Sequence, residues 1–489
     1  MNVFRVIGLS IINGLFFALP YLFDAAVPTI FFALAFLFFF QEKCLNHFHK
    51  LIYLIICTSI WMFVILYWLH HDDSISFWST NIIIIYSIII IFLFLFVFFF
   101  FIVRLRVDVK WKYLVFTILW VIFELYHTEQ QIRYPLFSLG LVLGNFPPII
   151  QWYSFTGIVG GSLWILLVNF VVLEVVKQKR FFLNSYLLFL LPIVLSLTMF
   201  VSIKYNNHNK LNVAACSLNI EEKNKFDRSF CLVESVIDST TNLVFCPEGL
   251  LHLSSTSFPI NTYFSKIKRL LKSESNRASY IFGSSSNAIG NNKLLDSVRY
   301  NMAIQCDTSG FVNVRNKILL VPFGEFIPYE KYLGEFEFIR KVVNTSLSSD
   351  HVFDNIFRYN EVEILPLICY ELFFSNFIRR YFKENSIGLI CCISNEYSVP
   401  NKTYYTPFNR MSIIQAISFR TPIVKSTING HSAIISQKGN IILSNYNKDE
   451  VIKGGISIMP EKTFYAQNGY LAITLILLFS FVVLILKRP

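Results

Sequence analysis

The chain has 489 residues, 54% of them hydrophobic and only 15% charged, with a formal net charge of +11. That balance excludes a purely water-soluble protein of this length. The positive excess could point to nucleic acid, but much of it lies in short loops between apolar runs, where membrane orientation accounts for it.

In chain order, long apolar runs fill residues 1–203, a mixed and more polar stretch covers 204–466, and a last apolar run occupies 467–489. About 20 apolar residues suffice to cross the hydrocarbon core as a helix. Spans are expected near 3–22, 26–40, 51–69, 81–103, 112–127, 152–176, 181–203 and 468–486, giving about seven helices before the polar stretch and one after it. The first run is followed by further spans instead of a small-residue cleavage site, so it is expected to stay as an anchor. Thirteen Lys and Arg lie outside 204–466. With the N-terminus inside, Arg5, Lys43, Lys50, Arg104, Arg106, Lys110, Lys112, Lys177, Lys179, Arg180, Lys487 and Arg488 all face the cytoplasm, and only Arg133 faces outward. The positive-inside rule therefore puts 204–466 on the outer face.

The outer stretch leaves the membrane through a polar junction, "KYNNHNK" (204–210), and then alternates short apolar runs with amphipathic ones. Strands are expected at 211–220, 241–249, 279–286, 302–307, 361–371, 387–396, 422–428 and 432–442, with helices at 260–274 and 406–419. Strands buried on both faces read as continuous apolar runs, as these largely do. The pattern predicts an α/β domain, or an α-β-β-α layered one with a central sandwich. The stretches 342–360 and 397–408 are long enough to serve as lids over a site.

Three groups of ionisable residues stand at or just past strand ends. "FCPEGLL" carries Glu248, "NKILLVPFGEFIPY" carries Lys317 and Glu325, and "PLICYEL" carries Cys369 and Glu371. A cysteine nucleophile, a carboxylate to take its proton and an ammonium to stabilise an oxyanion form a workable acyl-transfer set. Taken singly, each has a plainer reading as a turn residue, a surface lysine or a packing cysteine. The nine cysteines lack metal-site spacing, and Cys391 and Cys392 are adjacent. His431 and the histidines at 47, 49, 70 and 71 have no ligand partners at suitable spacing, so no metal is expected.

Glu, Lys and Cys in this order, each at a strand end, resemble the pattern of the nitrilase superfamily. "LVPFGEFIP" (320–328) with Lys317 before it, "ICYE" (368–371), "CPEG" (246–249), "YN" (300–301) and "QWYSFTGIVGGSLWILLVN" (151–169) are similar to motifs of its membrane branch, the apolipoprotein N-acyltransferases. The resemblance implies a polytopic α-helical membrane protein with an inserted nitrilase-like α-β-β-α sandwich. It further implies Cys369 as nucleophile, Glu248 as general base and Lys317 as oxyanion stabiliser. Glu325, Glu371 and Asn395 would support the site, and the backbone amide of Tyr370 would assist the oxyanion. Read alone, Glu371 is also placed to cap the helix that follows it. Three motifs depart from the family: "SNEYSVP" (394–400) lacks its aromatic loop, "QAIS" (415–418) replaces an arginine and a glutamate, and "INGHS" (428–432) brings in His431.

The implied activity is transfer of a fatty acyl chain from a phospholipid, through a thioester, to the α-amine of a diacylglyceryl-cysteine lipoprotein. It would proceed in the bacterial inner membrane, on the periplasmic face, by a monomer that needs no cofactor and no nucleic acid. Two other readings stay open on the residues alone. One is a membrane-tethered amidase in which water resolves the thioester, and the other a transporter or scaffold with a decayed nitrilase-like domain.

Overall fold

The structure, a computed structural model, describes residues 2–486 except 45, 72–75, 105–107, 179–182, 204–209, 220–224, 254–259, 275–277, 288–298, 344–346, 350–353, 397–405, 447 and 460. The expected polar junction and most of the second lid, 397–408, lie outside the described residues, as does part of the first lid.

The N-terminal part is helical: α1 (Val3–Leu22), α2 (Ile30–Lys43), α3 (His47–Leu66), α4 (Phe77–Phe100), α5 (Val109–Glu129), the short α6 (Tyr153–Thr156), α7 (Ile158–Gln178) and α8 (Leu183–Ser202). Among the described residues, five helical stretches, Val3–Leu22, Asp24–Lys43, His47–His71, Phe77–Phe100 and Ile158–Gln178, are long and apolar enough to cross a membrane. The span expected over 152–176 is broken at Gly157, whose φ of +64° separates α6 from α7. Polar caps mark the helix starts: Asn2, Asn46, Ser76 and Asp108 each accept first-turn amides that apolar surroundings would leave unpaired. Inside the bundle, Asn169 of α7 donates to Ile30 O and accepts from Ala35 N, tying α7 to α2. Gly14 lets α1 approach α3 closely, because a Cβ there would lie 2.8 Å from Cys57 O.

The α/β part carries strands β1 (Lys210–Ser217), β2 (Leu243–Phe245), β3 (Leu251–Leu253), β4 (Ser279–Asn287), β5 (Arg299–Asp307), β6 (Gly310–Asn316), β7 (Phe357–Tyr359), β8 (Val362–Ile368), β9 (Ile387–Asn395), β10 (Ile423–Ile428), β11 (His431–Ile435), β12 (Ile441–Tyr446) and β13 (Glu450–Ser457). They form two sheets, ordered β13-β1-β2-β4-β5-β6 with β3 on β4, and β12-β11-β10-β9-β8-β7. The strand expected over 432–442 is in fact the hairpin β11–β12, turned through Gly439 at φ +84°. The helices are α9 (Lys225–Glu234), α10 (Ile260–Glu274), α11 (Glu330–Leu333), α12 (Glu337–Val342), α13 (Ser375–Glu384), α14 (Thr406–Phe419), α15 (Phe464–Asn468) and the apolar α16 (Leu471–Leu486).

Side-chain alternation sorts these strands into layers. Val213, Phe245, Ile281, Ile368, Cys391 and Val424 pack between the two sheets. The other face of the first sheet packs on α9 and α10 through Phe226, Ile267 and Leu271. The other face of the second sheet packs on α13 and α14, in a core continuous with that of the membrane helices. The protein is thus a polytopic helical membrane protein bearing an α-β-β-α sandwich whose last layer rests on the membrane bundle. Cys391 and Cys392 point to opposite faces of β9 and are both fully packed.

Candidate active site

The strands of a sandwich end together, and residues just past those ends converge. Glu248 follows β2 and lies against β4 at Gly283, where a Cβ would sit 2.3 Å from Glu248 Cα. Lys317 follows β6, and its amide donates to Asn301 O at 2.8 Å. Asn395 ends β9. Cys369 follows β8 with φ +50°, a left-handed conformation that is strained for a cysteine, and opens a single 3₁₀ turn, Cys369–Phe373. That elbow turns the thiol out of the sheet into a cleft of about 360 Å³ lined by Glu248, Lys317, Glu325, Cys369, Tyr370 and Asn395.

The polar groups form one connected set. Lys317 Nζ lies 2.7 Å from Glu325 Oε1 and 3.6 Å from Glu248 Oε1. Glu325 Oε2 accepts from Val321 N at 2.8 Å. Glu248 accepts from Asn301 Nδ2 through Oε1 and from Asn395 N, at 2.9 Å, through Oε2. Each carboxylate oxygen carries two lone-pair sites, so Glu248 is fixed in place with acceptor capacity left over.

Burial shapes the charges. It pushes the Cys369 thiol well above its ordinary pKa; Glu248 and Glu325 add to that, while Lys317 opposes it. Burial works against the Lys317 ammonium, but Glu325 and Glu248 outweigh it and its pKa is raised. Burial also raises Glu325, against the pull of Lys317. The resting site therefore holds a neutral thiol beside a firmly charged ammonium.

Glu371, named above among the supporting residues, braces the turn that carries the thiol. It is completely buried, does not line the cleft, and pairs with Arg315 at 2.7 Å. It also accepts from Ile318 N at 2.8 Å and Ile368 N at 2.9 Å, closing the turn that presents Cys369. Tyr370 sends its hydroxyl to Arg133 O in the loop after α5.

Sequence reading assigned no role to several neighbours. Asn301 and Arg315 are brought in by strand pairing, which a linear sequence does not display. Glu396 lines the cleft and pairs with buried Lys425 at 2.5 Å. Gln415, one of the departures from the family motif, donates to Leu372 O at 2.8 Å and accepts from Ser375 Oγ, bracing the Cys369 turn from behind. The membrane bundle supplies the cleft's other wall through Trp68, Leu69, Tyr134, Pro135 and Leu136. It also holds the loop that carries Glu325: Ser79 Oγ donates to Phe323 O at 3.0 Å, and Tyr134 OH to Pro322 O at 3.1 Å. Among the described residues, no three His, Cys, Asp or Glu side chains gather as metal ligands.

Comparison with known proteins places this arrangement. Residues 13–171 match the family model described as the apolipoprotein N-acyltransferase N-terminal domain. The apolipoprotein N-acyltransferase of Rhodopseudomonas palustris is 30% identical over 196 residues, 39% of this chain and 36% of that protein, so the match spans little more than a third of that relative. The Rickettsia prowazekii apolipoprotein N-acyltransferase is 25% identical over 76% of this chain and 75% of that protein. Among solved structures, Saccharomyces cerevisiae Nit3 of the nitrilase superfamily has a TM-score of 0.38 and 14% identity, covering 51% of this chain and 90% of Nit3. Residues 13–171 are matched by the family model and a relative of the same name aligns along three quarters of this chain, so this multi-pass membrane protein is similar to the apolipoprotein N-acyltransferases.

Proposed function

We propose that this protein is an apolipoprotein N-acyltransferase that carries a fatty acyl chain on Cys369 from a phospholipid to the α-amine of a diacylglyceryl-cysteine lipoprotein. The observation that carries the reading is the double origin of the cleft: the reactive groups come from the sandwich and the facing wall from the membrane bundle. A site walled by the membrane bundle suits a reaction whose donor and acceptor are both lipids.

Because the thiol is neutral at rest, its proton leaves as it attacks. Glu248 accepts that proton while Cys369 Sγ bonds to the ester carbonyl carbon. The oxygen becomes an oxyanion beside the Lys317 ammonium, which Glu325 holds in place. Collapse breaks the carbon–oxygen bond, the leaving alkoxide takes the proton from Glu248, and a lysophospholipid departs. The acceptor amine then attacks the thioester, Glu248 receives the amine's proton, and collapse returns it to the sulfur with release of the amide. Both half-reactions use the same three groups of a single copy, in keeping with a monomer.

We further place residues 1–203 as the membrane domain, 204–466 as a catalytic domain on the outer face of the inner membrane, and 467–489 as a last crossing. A reporter fused after Lys210 should behave as periplasmic, and cytoplasmic behaviour would reverse the orientation. The direct test of function is the mass of a lipoprotein N-terminus in cells with and without the protein. One additional acyl chain, in amide linkage, is expected only when it is present; an unchanged N-terminus would sink the assignment.

A further inference from the structure

We propose that Arg299, with His252 and Ser285 beside it, forms a subsite for the phosphate of the acyl donor's headgroup. The proposal rests on the acyl-transfer reading and adds where the polar end of the donor lies.

The argument starts from β5. Asn301 turns its side chain to Glu248, which identifies the face of β5 that looks into the cleft. Residues two apart on a strand share a face, so Arg299 looks the same way, displaced by roughly 7 Å along the strand. Ser285 of β4 stands opposite Asn301, and His252 of β3 stands opposite Ser285 with its Nδ1 2.8 Å from Ser285 Oγ. Opposed residues share a face, so the three form one polar patch. All three line the same cleft as Cys369.

Charge separates the two ends of that cleft. At the reacting end, Lys317 is engaged by Glu325 and Glu248, two carboxylates around one cation, which disfavours a phosphodiester there. Arg299 supplies positive charge at the other end, and a guanidinium matches phosphate oxygens with two parallel N–H donors. The spacing also fits. The step from Asn301 to Arg299 is comparable to the stretch of a phospholipid from its ester carbonyl across the glycerol to phosphorus. One segment braces both stations: Ser348 N donates to Arg299 O at 2.9 Å, and Leu347 N donates to Glu325 O at 2.8 Å. A donor whose phosphate rests on Arg299 thus presents its ester towards the thiol.

The test uses the full-length protein in detergent micelles with one donor at a time, phosphatidylglycerol or diacylglycerol bearing identical chains. Acylation of the Cys369 peptide is followed by mass. The wild-type protein is expected to acylate about tenfold faster from the phospholipid, the effect of one charge-assisted contact. Arg299→Gln should remove that advantage without changing the diacylglycerol rate, and Arg299→Lys should restore part of it. Equal wild-type rates from the two donors, or an Arg299→Gln variant slowed equally with both, would overturn the subsite while leaving the acyltransferase intact. Inhibition of both reactions by added inorganic phosphate would assign the patch to a free anion and overturn it too. Absence of thioester from either donor in the wild-type protein would overturn the acyltransferase reading, and the subsite with it.

Discussion

Two buried carboxylate–cation clusters flank the nucleophile turn, and they differ in what they leave unsatisfied. In the first, Glu371 meets Arg315 and three backbone amides, those of Ile318, Leu319 and Ile368, and Arg315 is further held by Tyr381 OH at 3.2 Å and Asp354 at 3.3 Å. Both Glu371 and Arg315 side chains are fully buried, and neither lines the cleft. In the second, Glu248, Lys317 and Glu325 are just as polar, but their free acceptor sites and the ammonium face the cleft beside Cys369. The carboxylate two residues from the cysteine closes the turn, whereas the one over a hundred residues away lines the cleft with the thiol. Proximity in sequence to Cys369 is a poor guide to which carboxylate shares its cleft.

Substitutions should separate the clusters. The largest effect belongs to the thiol: incubated with phospholipid alone, the protein should gain one acyl chain on the "ICYE" peptide, and Cys369→Ala should abolish the gain. Cys391→Ala and Cys392→Ala should keep it, because both side chains only pack. Acyl label persisting in Cys369→Ala would remove the basis of the comparison.

Next come Glu248→Gln and Lys317→Ala, which should slow labelling by on the order of 10²-fold or more. Glu371→Gln should do something different. It takes from Arg315 the nearer of its two carboxylates and leaves it Asp354, so the variant should lose about 3 kcal/mol of stability, read as a lowered unfolding temperature in detergent. The molecules that remain folded should label within about tenfold of the wild-type rate. Normal stability with lost labelling would place Glu371 in the chemistry after all.

The smallest effect concerns pH. A lysine pKa raised by two carboxylates keeps the ammonium charged above the ordinary lysine value of 10.5. Its contribution is present below that value and is lost only as pH rises through the raised one. Initial labelling rates should therefore show no decline as pH passes 10.5, and a decline there would mean that the pairing with Glu325 and Glu248 is weaker than the structure shows.

Much of this site was legible in the chain because its reactive residues sit at the ends of apolar runs. β9, covered on both faces, reads as a nearly continuous hydrophobic stretch, and so does most of β8 after Glu363. Edge and short strands were not legible: β6, "GFVNVRN", is interrupted by polar residues, and β3 and β7 are three residues each. Glu248, Lys317, Glu325 and Cys369 could be picked out by type and order, but the contacts among them and their further partners could not. Asn301 reaches Glu248 only through the pairing of β4 with β5, and Arg315 reaches Glu371 only because two sheets face each other. The strained φ of Cys369 has no sequence signal at all, since it follows from the turn that Glu371 closes.

The contact between α14 and α1 has a consequence for how the protein is made. Arg410, fully buried, donates to Pro20 O at 2.6 Å and to Asp24 Oδ1 at 2.6 Å, and so caps the C-terminal end of α1. Arg410 follows Asp24 by 386 residues. During synthesis the first membrane helix must therefore be inserted, and wait with its last carbonyls and Asp24 without that partner, until most of the chain has emerged and α14 of the α/β part has folded back onto it. The soluble domain is in this sense the keystone of the membrane bundle. A truncation ending after α8 should give a bundle that inserts but stays loose, with its α14-facing surface open to other chains.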